Sequence, residues 1–335
     1  MNIAIFDLKP EEKKLISQRL KGHTVTYFTQ SLQEIPIKKF QNAEIISLFI
    51  SSSVDGKTLS SLPRLKLIAT RSTGFDHIDL KEASARKLIV TNVPSYGENT
   101  VAEHTFALIL TLSRNIHQSY LRTQKKNFSI EGLKGFDLCG KTLGVIGTGK
   151  IGSHVIRIAN GFQMNVLAYD TFKNKKLAKE FNFSYVDLKT LLQKSDIITL
   201  HLPLLKETEH IINTKNIKYI KRGALLINTA RGGLIETSAL IQALDKKIIS
   251  EVGLDVLEEE NVILEEHHLS LHGAHHRHEL GMLIKNHKLL QKPNIIFTPH
   301  IAFYSQEAVD RITNTTIDNI LAFIKGKKQN RVVLK

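Results

Sequence analysis

The chain has 335 residues, 42% of them hydrophobic and 23% charged, the balance of a folded protein of one large domain or two. No run reaches the ~20 apolar residues that cross a bilayer. Residues Met1 to Lys14 lack a secretory leader pattern, and a lone cysteine, Cys139, excludes an internal disulfide and fits a reducing cytoplasm. The net charge of +14 raises nucleic-acid binding, but the lysines are scattered. Their tightest groups (Lys173, Lys175, Lys176 and Lys325, Lys327, Lys328) have no interleaved aromatics. We expect no nucleic-acid or membrane partner, only a positive field that favours small anions.

Short β-branched runs alternate with helical patterns along the chain. Asn2 to Asp7 reads as a strand and Glu11 to Lys21 as a helix. Thr24 to Phe28, Ile45 to Ile50, Leu65 to Ala69 and Ile89 to Val93 read as further strands. Such alternation predicts a parallel sheet covered by helices. Pro94 to Asn99 breaks it and predicts a hinge near residues 94–100. Val101 to Arg114 is apolar at near-helical spacing, and Lys125 to Gly140 is looser. The alternation then restarts with strands at Thr142 to Ile146, Asn165 to Tyr169, Asp196 to Leu200, Ala224 to Asn228, Glu251 to Val256 and Asn294 to Thr298. Helices are expected at Ile151 to Asn160, Thr237 to Lys246 and Ser305 to Ile324. The fold class is therefore α/β, with two parallel-sheet blocks.

Chemistry gathers at the ends of the second set of strands. Gly147-Thr-Gly149-Lys150-Ile151-Gly152 follows one strand and opens a helix. The first glycine permits a tight turn, the second lets pyrophosphate approach the backbone, and the third lets helix and strand pack closely. Asp170 ends the next strand, where a carboxylate accepts the ribose hydroxyls and repels a 2′-phosphate. His201-Leu202-Pro203, with Thr208 soon after, ends a third. Asn228-Thr229-Ala230-Arg231-Gly-Gly233 ends a fourth, and an arginine there is well placed to fork a carboxylate. Gly253-Leu-Asp255 runs into the acids Glu258, Glu259 and Glu260, and Pro299-His300-Ile-Ala-Phe303-Tyr304 ends the sixth strand. Alone, the histidines and the acidic run are more often structural. Together, an anion fork, an acid/base and a carboxylate beside a dinucleotide crevice are what hydride transfer to a keto acid requires.

These motifs, with Arg71-Ser-Thr-Gly-Phe-Asp-His-Ile-Asp79 and Asn92-Val-Pro-Ser-Tyr-Gly-Glu-Asn-Thr-Val-Ala-Glu-His104, make the chain resemble the NAD-dependent D-2-hydroxyacid dehydrogenases over nearly its whole length. The resemblance implies a Rossmann NAD-binding domain, residues 100–300, inserted into a flavodoxin-like substrate domain, residues 1–99 and 301–335. Both would be doubly wound parallel sheets, and the helix near Val101 would help form a homodimer. It places the catalytic arginine, glutamate and histidine on Arg231, Glu260 and His300, and the substrate-carboxylate cradle on Ser72, Thr73 and Gly74. Asp170 becomes the adenosine carboxylate. Lys150, Ile151, His201, Leu202, Pro203, Thr208, Thr229, Ala230 and Asp255 become cofactor contacts, as do Arg231 and His300 beside their catalytic roles.

Tyr96, Phe303 and Tyr304 resemble the D-lactate branch of that family, which implies a small 2-keto acid, pyruvate first, and its D-2-hydroxy acid. A glyoxylate/hydroxypyruvate reductase or a phosphoglycerate dehydrogenase is the alternative enzyme. An NAD(H)-sensing corepressor of the C-terminal binding protein type is the alternative outside catalysis. The segment Asn261 to Lys292 is longer than in compact members. Within it, His267 to His278 holds six histidines. His272, His275 and His276 have a spacing that one helix face offers to a metal, but this chemistry needs no Lewis acid and we expect no catalytic metal there.

Overall fold

A computed structural model describes residues 1–259 and 277–333. Glu260 and the histidines from His267 to His276 lie outside the described residues. Two compact units form, residues 1–97 with 305–335, and residues 98–304. No described helix is long and apolar enough to cross a membrane.

The first unit holds β1 (Asn2–Ile5), β2 (Thr24–Tyr27), β3 (Ile45–Leu48), β4 (Leu67–Thr70) and β5 (Ile89–Thr91). They pair in parallel in the order β2-β1-β3-β4-β5, the flavodoxin-like arrangement. Strands buried on both faces read as continuous apolar runs, and the pleat sorts them by parity. Ile3, Ile5, Ile45, Leu67 and Ala69 face one core with Ile16, Ile317 and Ile320 from the helices Pro10–Arg19 and Gln306–Ile324, and with Leu20 just past the first. Ala4, Phe6, Ile46, Leu48 and Ile68 face the other core, where Phe6, Phe28 and Phe40 pack ring to ring.

The second unit holds β6 (Thr142–Ile146), β7 (Asn165–Tyr169), β8 (Ser184–Tyr185), β9 (Ile197–Leu200), β10 (Ala224–Asn228), β11 (Ile249–Leu254) and β12 (Ile295–Phe297). Among the described residues they form one parallel sheet in the order β12-β11-β10-β9-β6-β7-β8. The chain starts at the centre, runs to one edge, then returns to continue on the other side of β6. That reversal is the Rossmann switch point, where the crevice beyond the strand ends accepts a ligand. Helix Glu98–Ser113 covers one face with Ala102, Phe106, Ile109 and Leu112, beside Val155, Ile156 and Ala159 of helix Lys150–Gly161. Helix Thr237–Asp245 covers the other with Ala239, Leu240 and Leu244.

Several elements differ from the sequence reading. The strand β8 is not in that reading, and the helices Gly56–Ser60, Leu80–Ala85, Ile116–Gln124, Lys175–Glu180 and Leu188–Lys194 fall in gaps where it gives helices no bounds. Each is short, and helix Ile116–Gln124 has no buried residue to set a periodic face.

Candidate active site

Because every strand of the second sheet is parallel, all its C-terminal ends share one edge. Six adjacent strands deliver, in spatial order, His300, Asp255, Arg231, His201, the Gly147 turn and Asp170. The residues just named are thus gathered along one rim.

The glycine turn is built by exclusion. Gly147 sits at φ +97°, and a Cβ there would lie 2.7 Å from the His201 carbonyl oxygen. A Cβ on Gly152 would overlap the Gly147 carbonyl, while one on Gly149 would meet nothing within 4 Å. The open approach at Gly149 leads to the start of helix Lys150–Gly161, whose first N–H groups have no side-chain cap. Backbone donors at an unobstructed helix start fit a dinucleotide pyrophosphate. Lys150 stands at this start with its ammonium 3.3 Å from Glu98, and Ile151 packs partly against the core.

Asp170 receives three donors from its own chain. Its Oδ2 accepts the Thr148 N–H at 2.6 Å and the Thr148 hydroxyl at 2.9 Å, and its Oδ1 accepts the Phe172 N–H at 2.9 Å. The carboxylate is therefore oriented at the rim by the turn beside it.

His201 ends β9 with Nε2 at 2.9 Å from Thr199 Oγ1, while its Nδ1 is buried with no partner. Burial pushes the imidazole down to about 3, so it is neutral at physiological pH. Leu202 packs over Gly147, and the turn after Pro203 is closed by Thr208, whose hydroxyl donates to the Pro203 carbonyl at 2.6 Å. An unfolded histidine titrates near ~6.5, so below that pH the unfolded chain takes a proton that the folded site refuses down to about pH 3. Stability from this site is full above pH 6.5 and declines as pH falls towards 3. Between pH 7 and pH 5 the wild type should lose about 1 to 2 kcal/mol more than His201→Gln. Urea unfolding at the two pH values reads this, and equal losses would refute it.

Arg231 follows β10. Asn228 braces its backbone, accepting the Ala230 N–H at 3.0 Å and donating to the Arg231 carbonyl at 2.8 Å. One guanidinium nitrogen donates to the Ala230 carbonyl at 2.7 Å. A Cβ on Gly232 would overlap the Leu257 carbonyl, so the arginine loop lies directly against the end of the β11 segment. Thr229 is buried, its hydroxyl 2.9 Å from that of Thr105.

Asp255 is wholly buried and organises the histidine loop. Its Oδ1 accepts the Thr298 hydroxyl at 2.5 Å and the Ile301 N–H at 2.9 Å, and its Oδ2 accepts the Ala302 N–H at 2.8 Å. The His300 N–H donates to the Asp255 carbonyl at 3.0 Å, and His300 adopts a left-handed φ of +53°. Beyond it, Phe303 and Tyr304 stack edge to face at 5.7 Å, with Tyr304 half exposed.

Of the three acids ending this segment, Glu258 is bonded elsewhere in the unit. Its carboxylate accepts the Thr237 N–H at 2.9 Å and meets His210 Nε2 at 2.5 Å.

In the first unit, the loop after β4 carries Ser72, Thr73 and Gly74. Ser72 Oγ donates to the Gly74 carbonyl at 2.5 Å, and Thr73 Oγ1 donates to the Val93 carbonyl at 2.7 Å. Asn92 donates to the Thr73 carbonyl at 2.8 Å. These bonds tie up hydroxyls and carbonyls and leave the loop's backbone amides outside them. The Tyr96 carbonyl accepts from Arg311 Nε at 2.5 Å.

Sequence reasoning did not single out Thr148, Tyr185, His104 or Thr298 as parts of these networks. Thr148 and His104 fall inside the motifs without a role of their own, Tyr185 and Thr298 fall outside them, and only the contacts reveal what each does. Among the described residues no group of three His, Cys, Asp or Glu is arranged to hold a metal.

The chain is similar to known proteins over its whole length. The model of the D-isomer specific 2-hydroxyacid dehydrogenase NAD binding domain matches residues 106–302. The chain is 38% identical to a 2-hydroxyacid dehydrogenase homolog of Haemophilus influenzae, over 100% of this chain and 99% of that one. It is 36% identical to the D-lactate dehydrogenase of Escherichia coli, over 98% of each. The crystal structure of the Aquifex aeolicus D-lactate dehydrogenase, complexed with NAD and lactic acid, superposes with a TM-score of 0.88 at 39% identity, over 100% of both chains.

Proposed function

Since the chain belongs to the D-isomer specific 2-hydroxyacid dehydrogenases, oxidoreductases that use NAD, we propose that it interconverts pyruvate and D-lactate. The carrying observation is the rim of the second sheet, where an arginine braced by Asn228 and a histidine braced by Asp255 end neighbouring segments. Bound NADH supplies the hydride. Asp170 takes the adenosine ribose, and the Gly147–Gly152 turn takes the pyrophosphate. Arg231 forks the substrate carboxylate and polarises the carbonyl, and the Ser72–Gly74 amides serve the same anion. His300 gives the proton to the carbonyl oxygen, with Glu260 as its carboxylate partner.

The resemblance of Tyr96, Phe303 and Tyr304 to the D-lactate branch supports a substrate with a short side chain. NADH oxidation should be fastest with pyruvate in a panel with glyoxylate, hydroxypyruvate and branched keto acids, and chiral analysis should find the D product. Phe303→Ala should raise branched-acid turnover relative to pyruvate. A folded variant with unchanged ranking removes Phe303 from the pocket. Absence of turnover with the whole panel overturns the enzymatic reading.

Helix Ile116–Gln124 and the segment after it expose Ile116, Tyr120, Leu121, Phe128 and Ile130, the last 85% exposed. Apolar surface of this extent on one segment supports a homodimer. Sedimentation should give twice the 37.8 kDa chain mass, and Tyr120→Glu with Leu121→Glu should shift it to monomer. A monomeric wild type would sink this assignment. The single exposed thiol, Cys139, supports a cytoplasmic setting.

A further inference from the structure

The geometry points to Tyr185 as a positioning residue for the adenosine end of the cofactor, acting through Thr148 on Asp170. The inference rests on the reading of Asp170 as the ribose carboxylate. Tyr185 lies on β8, the two-residue edge strand paired with β7, and its Oη is 2.9 Å from Thr148 Oγ1. The Thr148 hydroxyl lies 2.9 Å from Asp170 Oδ2. On the other side, the Asn174 N–H donates to Tyr185 Oη at 3.1 Å.

The direction of each proton follows from the inventory of donors. An ionised carboxylate only accepts, so Thr148 gives its one hydroxyl proton to Asp170. Tyr185 must then donate to Thr148, and its oxygen is left to accept from Asn174. The result is a one-way chain, Asn174 to Tyr185 to Thr148 to Asp170, in which each bond polarises the next.

The chain limits what Asp170 offers. Both ordinary acceptor positions of Oδ2 are filled by the Thr148 hydroxyl and N–H, and one position of Oδ1 is filled by the Phe172 N–H. One position on Oδ1 remains for a ribose hydroxyl, in a fixed direction. Thr148 also lies between Gly147 and Gly149, so the same chain ties the pyrophosphate turn to the ribose carboxylate. The Tyr185 ring is held separately by Phe183, edge to face with centroids at 5.0 Å. Removing the hydroxyl therefore leaves the packing in place.

Calorimetric titration of NADH and NADPH into wild type, Tyr185→Phe, Asp170→Asn and the double variant tests this. Tyr185→Phe should weaken NADH about fivefold, the scale of one lost hydrogen bond, with little change for NADPH. In the Asp170→Asn background the same substitution should add less than a twofold loss, because its target is gone. If Asp170→Asn alone stays within twofold of wild type for NADH, the ribose-carboxylate reading fails and this inference with it. If Asp170→Asn costs tenfold or more while Tyr185→Phe leaves NADH affinity unchanged, the relay is overturned and the underlying reading stands. The relay is equally overturned if Tyr185→Phe weakens both cofactors alike in both backgrounds, since that is the mark of packing alone.

Discussion

Arg231→Lys should lower kcat/KM for pyruvate by roughly tenfold to several hundredfold while leaving NADH affinity within twofold. A lysine keeps the charge but presents a point donor on a flexible stem. It cannot make two parallel hydrogen bonds to a planar carboxylate. A hydrogen bond to a charged group contributes about 1.5 to 3 kcal/mol, which sets the range. The surroundings leave little room to compensate. Asn228 braces the loop on both sides of Ala230, and the segment's Gly232 abuts the Leu257 carbonyl. The backbone therefore cannot advance to bring a shorter reach forward. The Gly147 turn and Asp170 stand on β6 and β7, across β9 from Arg231, so cofactor binding should survive. Steady-state kinetics with calorimetric NADH binding checks both halves. A lysine variant within twofold of wild type on pyruvate places the anchor elsewhere.

The positions of these side chains were legible in the sequence, but their working partners were not. Strands β6, β7 and β10 begin and end where the apolar runs do. A strand buried on both faces must be apolar throughout, and its end is marked by the first glycine or polar residue. From there, the resemblance assigned residues to a rim that the parallel sheet does place together. β8 escaped because two residues, one exposed, carry no period. The network through Tyr185 escaped with it. Asp170 and Asp255 sit in recognisable motifs, yet the motif does not say which protons each carboxylate receives. Asp170 reads in sequence as an acceptor for both ribose hydroxyls, and three of its acceptor positions are filled from within the protein. Asp255 reads as a cofactor contact, and the motif does not reveal that its carboxylate also accepts from Thr298, Ile301 and Ala302. Partner choice depends on distances across strands, and residue type alone does not encode them.

Asp255→Asn should lower kcat by about two orders of magnitude through His300, with NADH binding retained. The carboxylate is wholly buried and faces three donors, the Thr298 hydroxyl and the Ile301 and Ala302 N–H groups. An asparagine amide replaces one accepting oxygen with an NH2. Whichever way it is turned, a donor then faces a donor in a buried site, at a cost of about 1 to 3 kcal/mol for the unmade bond. Thr298 cannot absorb the change by turning its hydroxyl freely. Its oxygen lies 3.0 Å from His104 Nε2, and burial holds that imidazole below its ordinary value despite the opposing charge of Asp255. Thr298 gives its one hydroxyl proton to Asp255, so its oxygen accepts from the His104 Nε2–H. The segment under strain is the one that matters for proton transfer. His300 sits at φ +53°, a left-handed conformation that costs a non-glycine residue of order 1 kcal/mol or more and persists only when its neighbours hold it. The bonds from Ile301 and Ala302 to Asp255, one and two residues on, are that hold. Released, His300 shifts from the position it needs, and a displacement near 1 Å is enough for a ~100-fold loss. The loss should fall on kcat, and the thermal midpoint should drop while far-ultraviolet circular dichroism and NADH titration report a folded, cofactor-binding protein. A variant with wild-type kcat would show that the loop holds His300 without Asp255.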